Sequence, residues 1–156
     1  MMHVERILVP ADGSAESEAA FAWACDLARY YDAEITLLYI VDTTKLGSLG
    51  LPGGPEKPEY FDHEQGKKIL QTLCEKAPEG ISVHTVTVYG DPGPDIVRLV
   101  DKHDINLVVM GSRGNLVVMG SRGMGRVARW ALGSVSTYVL HRASCPVLTV
   151  KADAQA

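Results

Sequence analysis

Residues 106–136 read NLVVMGSRGNLVVMGSRGMGRVARWALGSVS, so the nine residues from Asn106 to Gly114 recur unchanged as Asn115 to Gly123. Leu-Val-Val-Met is a short apolar run of the kind buried on both faces in a parallel sheet. The Gly-Ser-Arg-Gly behind it is a loop whose backbone N–H groups can approach an anion with no Cβ in the way. The stretch predicts a buried strand opening into a phosphate-gripping loop, then helical segments at Met124 to Leu132 and Ser134 to Ala143.

The rest of the chain repeats this alternation. Val4 to Pro10 is a short apolar strand, and Pro10-Ala11-Asp12-Gly13-Ser14 is turn chemistry followed by a helix start. Ser14 can cap that helix, Glu16 and Glu18 sit where the helix dipole favours acids, and Ala20, Trp23, Ala24, Leu27 and Tyr31 recur at helical spacing. Glu34 to Val41 is the second strand. Thr43 to Pro58, reaching to about residue 60, is rich in Gly and Pro and reads as a mobile loop. Phe61 to Ala77 is helical, Ile81 to Tyr89 is the third strand, a helix follows Gly90 to Pro94, and Pro146 to Val150 is the last strand. Strands alternating with helices imply right-handed crossovers. The expectation is an α/β, Rossmann-like single domain over residues 1–156, a doubly wound five-stranded parallel sheet with helices on both faces.

Composition narrows the function. The chain has 156 residues, 46% hydrophobic and 22% charged, with a net charge of −4. That charge does not favour nucleic acid or an anionic membrane surface. The first residues form neither a signal peptide nor a spanning segment, so no membrane insertion and a cytoplasmic location are expected. Cys25, Cys74 and Cys145 have no CxxC or Cys/His spacing suited to zinc and read as buried thiols.

In a doubly wound sheet, ligands bind beyond the carboxyl ends of the strands, where the winding order reverses. Two loops have suitable chemistry there: Pro10 to Ser14, and Gly120-Ser121-Arg122-Gly123. Ser134 adds a hydroxyl and free helix amides, and together these groups make a nest for a polyphosphate. Arg122 is the arginine best placed to steer phosphate; Arg113, Arg126 and Arg129 read as a solvated face.

The spacing Gly120-x-x-Gly123, nine residues, Gly133-Ser134 resembles the ATP-binding pattern of the universal stress proteins. So do ILVPADGS at the start, LLYIVD, VYGDP and SCPVLTV, and the likeness covers nearly the whole chain. The resemblance implies that Pro10, Ala11 and Asp12 lie along the adenosine, with Asp12 on the ribose or near the Mg of Mg-ATP. It also implies Ile40 on adenine, Met119 beneath the nucleotide, and Gly120, Gly123, Gly133, Ser134, Val135 and Ser136 on the phosphates. The implied protein is a nucleotide-dependent regulatory module of the stress response that binds ATP, ADP or AMP, hydrolyses ATP slowly at most, and forms a homodimer through its last strand, Val147 to Val150.

Other readings compete with this one. Gly123 to Ala128 fits a loose G-x-G-x-x-A dinucleotide pattern, but it comes late and no acidic residue follows at about twenty positions. No Gly-Lys-Ser/Thr triplet occurs, so fast phosphoryl transfer is not suggested. A homodimeric interaction module that holds no nucleotide, and an adenosine-phosphate hydrolase or transferase using Asp12 with a metal, remain as alternatives.

The repeat allows two threadings. With Asn106 to Met110 as the fourth strand, eighteen residues separate Gly114 from Gly133; with Asn115 to Met119, nine separate Gly123 from Gly133 and the glycine pattern survives. Core burial cannot choose between identical residues. Loop closure costs only about 0.6 kcal/mol per doubling of length. The second copy is expected to be the strand, which makes residues 106–114 an insertion.

Overall fold

The computed structural model describes residues 3–44, 58–112 and 133–152. Five strands, β1 (Arg6–Pro10), β2 (Glu34–Asp42), β3 (Val83–Gly90), β4 (Leu107–Ser112) and β5 (Val147–Lys151), form one parallel sheet in the order β3-β2-β1-β4-β5. The chain winds outward from β1 to β3 and then returns to β1's other side, where Ile7 pairs with Leu107 and Leu8 with Val108. This is the doubly wound α/β architecture that the alternation of elements predicts.

Helices α1 (Ala15–Tyr31), α2 (Pro58–Glu75), α3 (Pro92–Lys102) and α4 (Ser134–Arg142) cover both faces. Alternate residues of each strand point to opposite sides. Ile7, Val9, Ile35, Leu37 and Val109 pack with Phe21, Ala24 and Ala28 of α1 and Leu70 and Leu73 of α2. Leu8, Leu38, Val108 and Met110 pack with Ile96, Leu99 and Val100 of α3 and Val139 of α4. Each fully buried Leu, Ile or Val contributes about 1.5–3 kcal/mol relative to an exposed one, so these two layers carry the fold.

Ser14 is the cap of α1 as expected, its Oγ accepting from the Ser17 amide at 3.1 Å. Helix α2 begins at Pro58, so the expected loop does not reach residue 60; proline is compatible with a first helical turn, where its missing N–H has no partner to lose. The remainder of that loop, 45–57, lies outside the described residues, as does the predicted helix at 124–132.

The expected threading is corrected. The first copy, not the second, forms β4. The turn after α3 explains why: Asp104 adopts φ 50°, the Ile105 amide donates to the Val100 carbonyl at 2.9 Å, and the next residue is already in register. Asn106 donates its amide to the Arg6 carbonyl at 2.9 Å, and its Oδ1 accepts from the Glu5 and Arg6 amides at 2.8 Å each. A four-residue connection, His103 to Asn106, thus places the first copy beside β1 with no slack to absorb.

Candidate functional site

Because β1 sends its chain to one side and β4 to the other, their carboxyl ends part and leave a crevice. A cleft of about 630 Å³ lies there. Pro10, Ala11 and Asp12 form one wall, Ile40 and Asp42 the end of the next strand, and Gly133, Ser134, Val135 and Ser136 the opposite wall. These predicted residues, far apart in the chain, are brought together. A larger hollow of about 800 Å³ sits at the amino ends of the strands among Glu5, Arg6, Asp32 and Glu34, but its walls include no helix N-terminus to receive an anion.

The two helices that open onto the cleft differ at their first turns. At α1 the protein satisfies its own groups: Ser14 Oγ takes the Ser17 amide, the Ser17 hydroxyl donates to the Ser14 carbonyl at 3.0 Å, and Asp12 Oδ1 accepts from the Ser14 amide at 2.9 Å. At α4 the cap is Gly133, which has no side chain to offer. The first intrahelical bond there runs from the Thr137 amide to the Gly133 carbonyl at 3.0 Å. The amides of Ser134 to Ser136 come before it and have no intrahelical acceptor, so an anion in the cleft meets the positive end of α4.

Not every predicted group is free to bind. Ser136 is buried and its hydroxyl donates to the Gly111 carbonyl at 3.0 Å, which leaves its amide rather than its side chain for a ligand. Ser134 is exposed, whereas Val135 and Ile40 are half-buried and pack against the core on the α3/α4 face. Ala11 is buried, with its amide on the Leu38 carbonyl at 2.8 Å. Met119, Gly120, Arg122 and Gly123 lie outside the described residues. The cleft positions expected for Met119 and Gly120 are filled instead by Met110 and Gly111 of the first copy, followed by Ser112.

Gly111 also shows why a glycine belongs at the end of β4. A Cβ there would stand 2.7 Å from Glu16 Cβ and 2.8 Å from the Glu16 carbonyl carbon, so only glycine lets α1 approach this closely. Sequence reasoning did not place Glu16, Ser17, Pro92 or Ile96 at the cleft. For Pro92 and Ile96 the signal was present in the Gly-Asp-Pro turn after β3, which opens a helix at the same end of the sheet.

Burial pushes the Asp12 carboxyl up, but hydrogen bonds from Ser14, side chain and backbone, and from Ser17 outweigh it and hold the group below its ordinary range. Asp12, Glu16 and Asp42 are all on the cleft wall, and no Lys or Arg is among its described lining residues. Burial raises the Cys25, Cys74 and Cys145 thiols, Cys25 to about 11. Cys25 is buried as expected, while Cys74 and Cys145 are half-buried. No group of three or more His, Cys, Asp or Glu suited to a metal occurs among the described residues. No helix among them is long and apolar enough to cross a membrane.

A doubly wound α/β domain with its cleft at the switch point defines a large class of ligand-binding proteins. The model of the universal stress protein family matches residues 3–115 and 115–151, two segments that meet at the first residue of the second copy. The chain belongs to the universal stress protein family. It is 34% identical over 148 residues to universal stress protein MJ0531 of Methanocaldococcus jannaschii, covering 94% of this chain and 82% of that one. Its fold matches a universal stress protein family protein from Arabidopsis thaliana with AMP bound, at TM-score 0.65 and 24% identity over 97% of this chain and 94% of that one. It also matches the universal stress protein from Archaeoglobus fulgidus in complex with dAMP, at TM-score 0.63 and 23% identity over 97% and 100% of the two chains.

Proposed function

We propose that this chain binds an adenine nucleotide, ATP in the first place and ADP or AMP also, in the cleft between β1 and β4, and that it acts as a nucleotide-dependent regulatory module of the stress response. The observation that carries the reading is the convergence of Pro10 to Asp12, Ile40 and the open first turn of α4 on one cleft. Solved relatives of the same fold with AMP and dAMP bound support it. Ile40 would pack on the base, Asp12 would meet the ribose, and the amides of Ser134 to Ser136 would take phosphate.

The donor set fits a nucleotide that brings its own countercharge. Three carboxylates line the described walls without a Lys or Arg, so a triphosphate entering with Mg has less repulsion to overcome than a bare one. Asp12, kept ionised on this wall, would stand near that Mg. These walls supply binding groups and no paired nucleophile and base, which fits slow hydrolysis at most. The proposed unit is a cytoplasmic homodimer joined through β5, which among the described residues is an edge strand paired with β4 on one side only.

The test is to denature the purified protein, assay the supernatant for adenine nucleotides, and titrate stripped protein with ATP, ADP and AMP with and without Mg by calorimetry. Bound or titratable adenine nucleotide is the expected result. Protein that carries none and takes up none from any of these solutions overturns the reading. Light scattering at the same concentrations gives the mass of the assembly and tests the dimer.

A further inference from the structure

Helix α2 contributes no residue to the cleft lining among the described residues, yet it meets the backs of two cleft walls. His63, Gly66 and Ile69, three residues apart and so on one side of the helix, touch β3, β2 and the turn after β1 in that order. The His63 ring stacks on Tyr89 of β3 at 5.8 Å between centroids, with the Tyr89 hydroxyl 2.7 Å from His63 Nδ1. Gly66 lies against the Tyr39 ring of β2, and Tyr39 itself lines the cleft. Ile69 backs Gly13: a Cβ there would stand 2.8 Å from Ile69 Cδ1 and 3.2 Å from its Cγ1. Just past the helix, Lys76 pairs with Glu18 of α1.

We propose that Ile69 is a positioning residue for the cleft: by backing Gly13 it fixes the Asp12-Gly13-Ser14 turn, and through that contact α2 and the cleft wall move together. The effect on a ligand rests on the function proposed above; the hold on the turn does not.

Gly13 has φ 84°, so the chain turns sharply there, and its two neighbours, Asp12 and Ser14, both line the cleft. The turn shifts as a unit, because Asp12 Oδ1 accepts from the Ser14 amide and Ser14 Oγ from the Ser17 amide. Little else holds it from the α2 side. A hollow of about 200 Å³ lies there between α1 and α2, and Ile69 and Leu73 are the large apolar side chains in its described lining. Of the two, Ile69 is the one against Gly13. Shortening it adds its volume to the hollow and frees the turn to move. Binding groups need to be held within about 0.5 Å by the packing behind them, so a loosened turn weakens a ligand that Ile69 never touches. By linkage, a ligand that fixes the turn also fixes α2.

Three variants test this: Ile69→Ala, Ile69→Val, which deletes Cδ1 alone, and Leu99→Ala, at a buried residue of α3 on the other face of the sheet. All three are expected to lower Tm, so stability alone does not separate them. The Ser14 amide resonance of the ligand-free protein separates them, as does the affinity for AMP and Mg-ATP by calorimetry below each Tm. Both Ile69 variants are expected to move the resonance and weaken binding, Ile69→Ala by at least about threefold, while Leu99→Ala changes neither. Hydrogen exchange over Gly66 to Glu75 should slow when AMP is added to the parent, and exchange that does not change overturns the link to α2. Ile69→Val answers by itself if Ile69→Ala does not fold. An unmoved Ser14 resonance in the Ile69 variants overturns the hold on the turn. Affinities equal to the parent's, or an equal loss in Leu99→Ala, overturn the positioning role. If the parent binds neither nucleotide, the proposed function falls and the ligand effect with it, while the Ser14 resonance still judges the hold of Ile69 on the turn.

Discussion

The Ser136 hydroxyl donates to the Gly111 carbonyl at 3.0 Å, tying the first turn of α4 to the end of β4 at the floor of the cleft. Ser136 is buried, while Gly111, whose carbonyl it serves, is half-buried at the cleft. Ser136→Ala is expected to cost about 1 kcal/mol, the net worth of one hydrogen bond. For a chain of this size that lowers Tm by roughly 2–4 °C per kcal/mol, readable by calorimetry. An unchanged Tm would show that the bond does not hold the two elements together.

Gly66 lies on α2 where a Cβ would come within 2.2 Å of the Tyr39 ring, itself buried in the core. Alanine gains helix propensity over glycine, about 1 kcal/mol, which taken alone predicts stabilisation. The buried ring would have to shift to admit the Cβ, and overpacking of this kind costs about 1–3 kcal/mol. Gly66→Ala is therefore expected to destabilise in urea titrations, and a raised midpoint would contradict the close approach of α2 to β2.

Asp12 gives the stability a pH dependence of defined sign. Its carboxyl is held below its ordinary value in the folded state, so its contribution is present above the unfolded value, about pH 4, and is lost as the pH falls through the folded one. Below about pH 4 the parent should lose stability more steeply than D12N. The effect is small because the residue is exposed. NMR titration checks the cause directly: Ser14→Ala removes the hydroxyl and should move the Asp12 midpoint upward.

Cys25 should be inert in the native protein. Burial, with a further push from the neighbouring Asp26 carboxylate, raises its thiol to about 11, and a group with that value is thiolate in only about one molecule in a thousand at pH 8. A disulfide reagent should label Cys25 only after denaturant is added, as followed by peptide mass spectrometry. Fast native labelling at this residue would refute the burial.

The doubly wound alternation of strands and helices and the α1 cap could be read from the chain because the local signals agree with the global fold. Ser14 caps where the turn ends, and Ile7, Val9, Ile35 and Leu37 alternate onto the face that α1 covers. The strand supplied by the repeat could not be read, since Val109 and Val118 are the same residue at the same position of two identical copies. What decided it was a backbone event, the Asp104 turn that delivers Asn106 to Arg6, and no side-chain pattern announces that turn. The cleft was legible where a loop follows a strand, at Pro10 to Asp12, and at the helix start Gly133-Ser134. It was illegible at Ser136, whose hydroxyl faces the fold rather than the cleft, because a serine's partner is set by tertiary packing.

The pairing of Ile7 with Leu107 also gives the fold an order in time. The central strand is made about a hundred residues before the strand that pairs with one of its edges. The opposite wall of the cleft, Gly133 to Ser136, arrives later still. During synthesis the cleft therefore stays incomplete until both of its walls have been made, and nothing placed there can guide the first half of folding. Its shape exists only once the sheet has closed around β1.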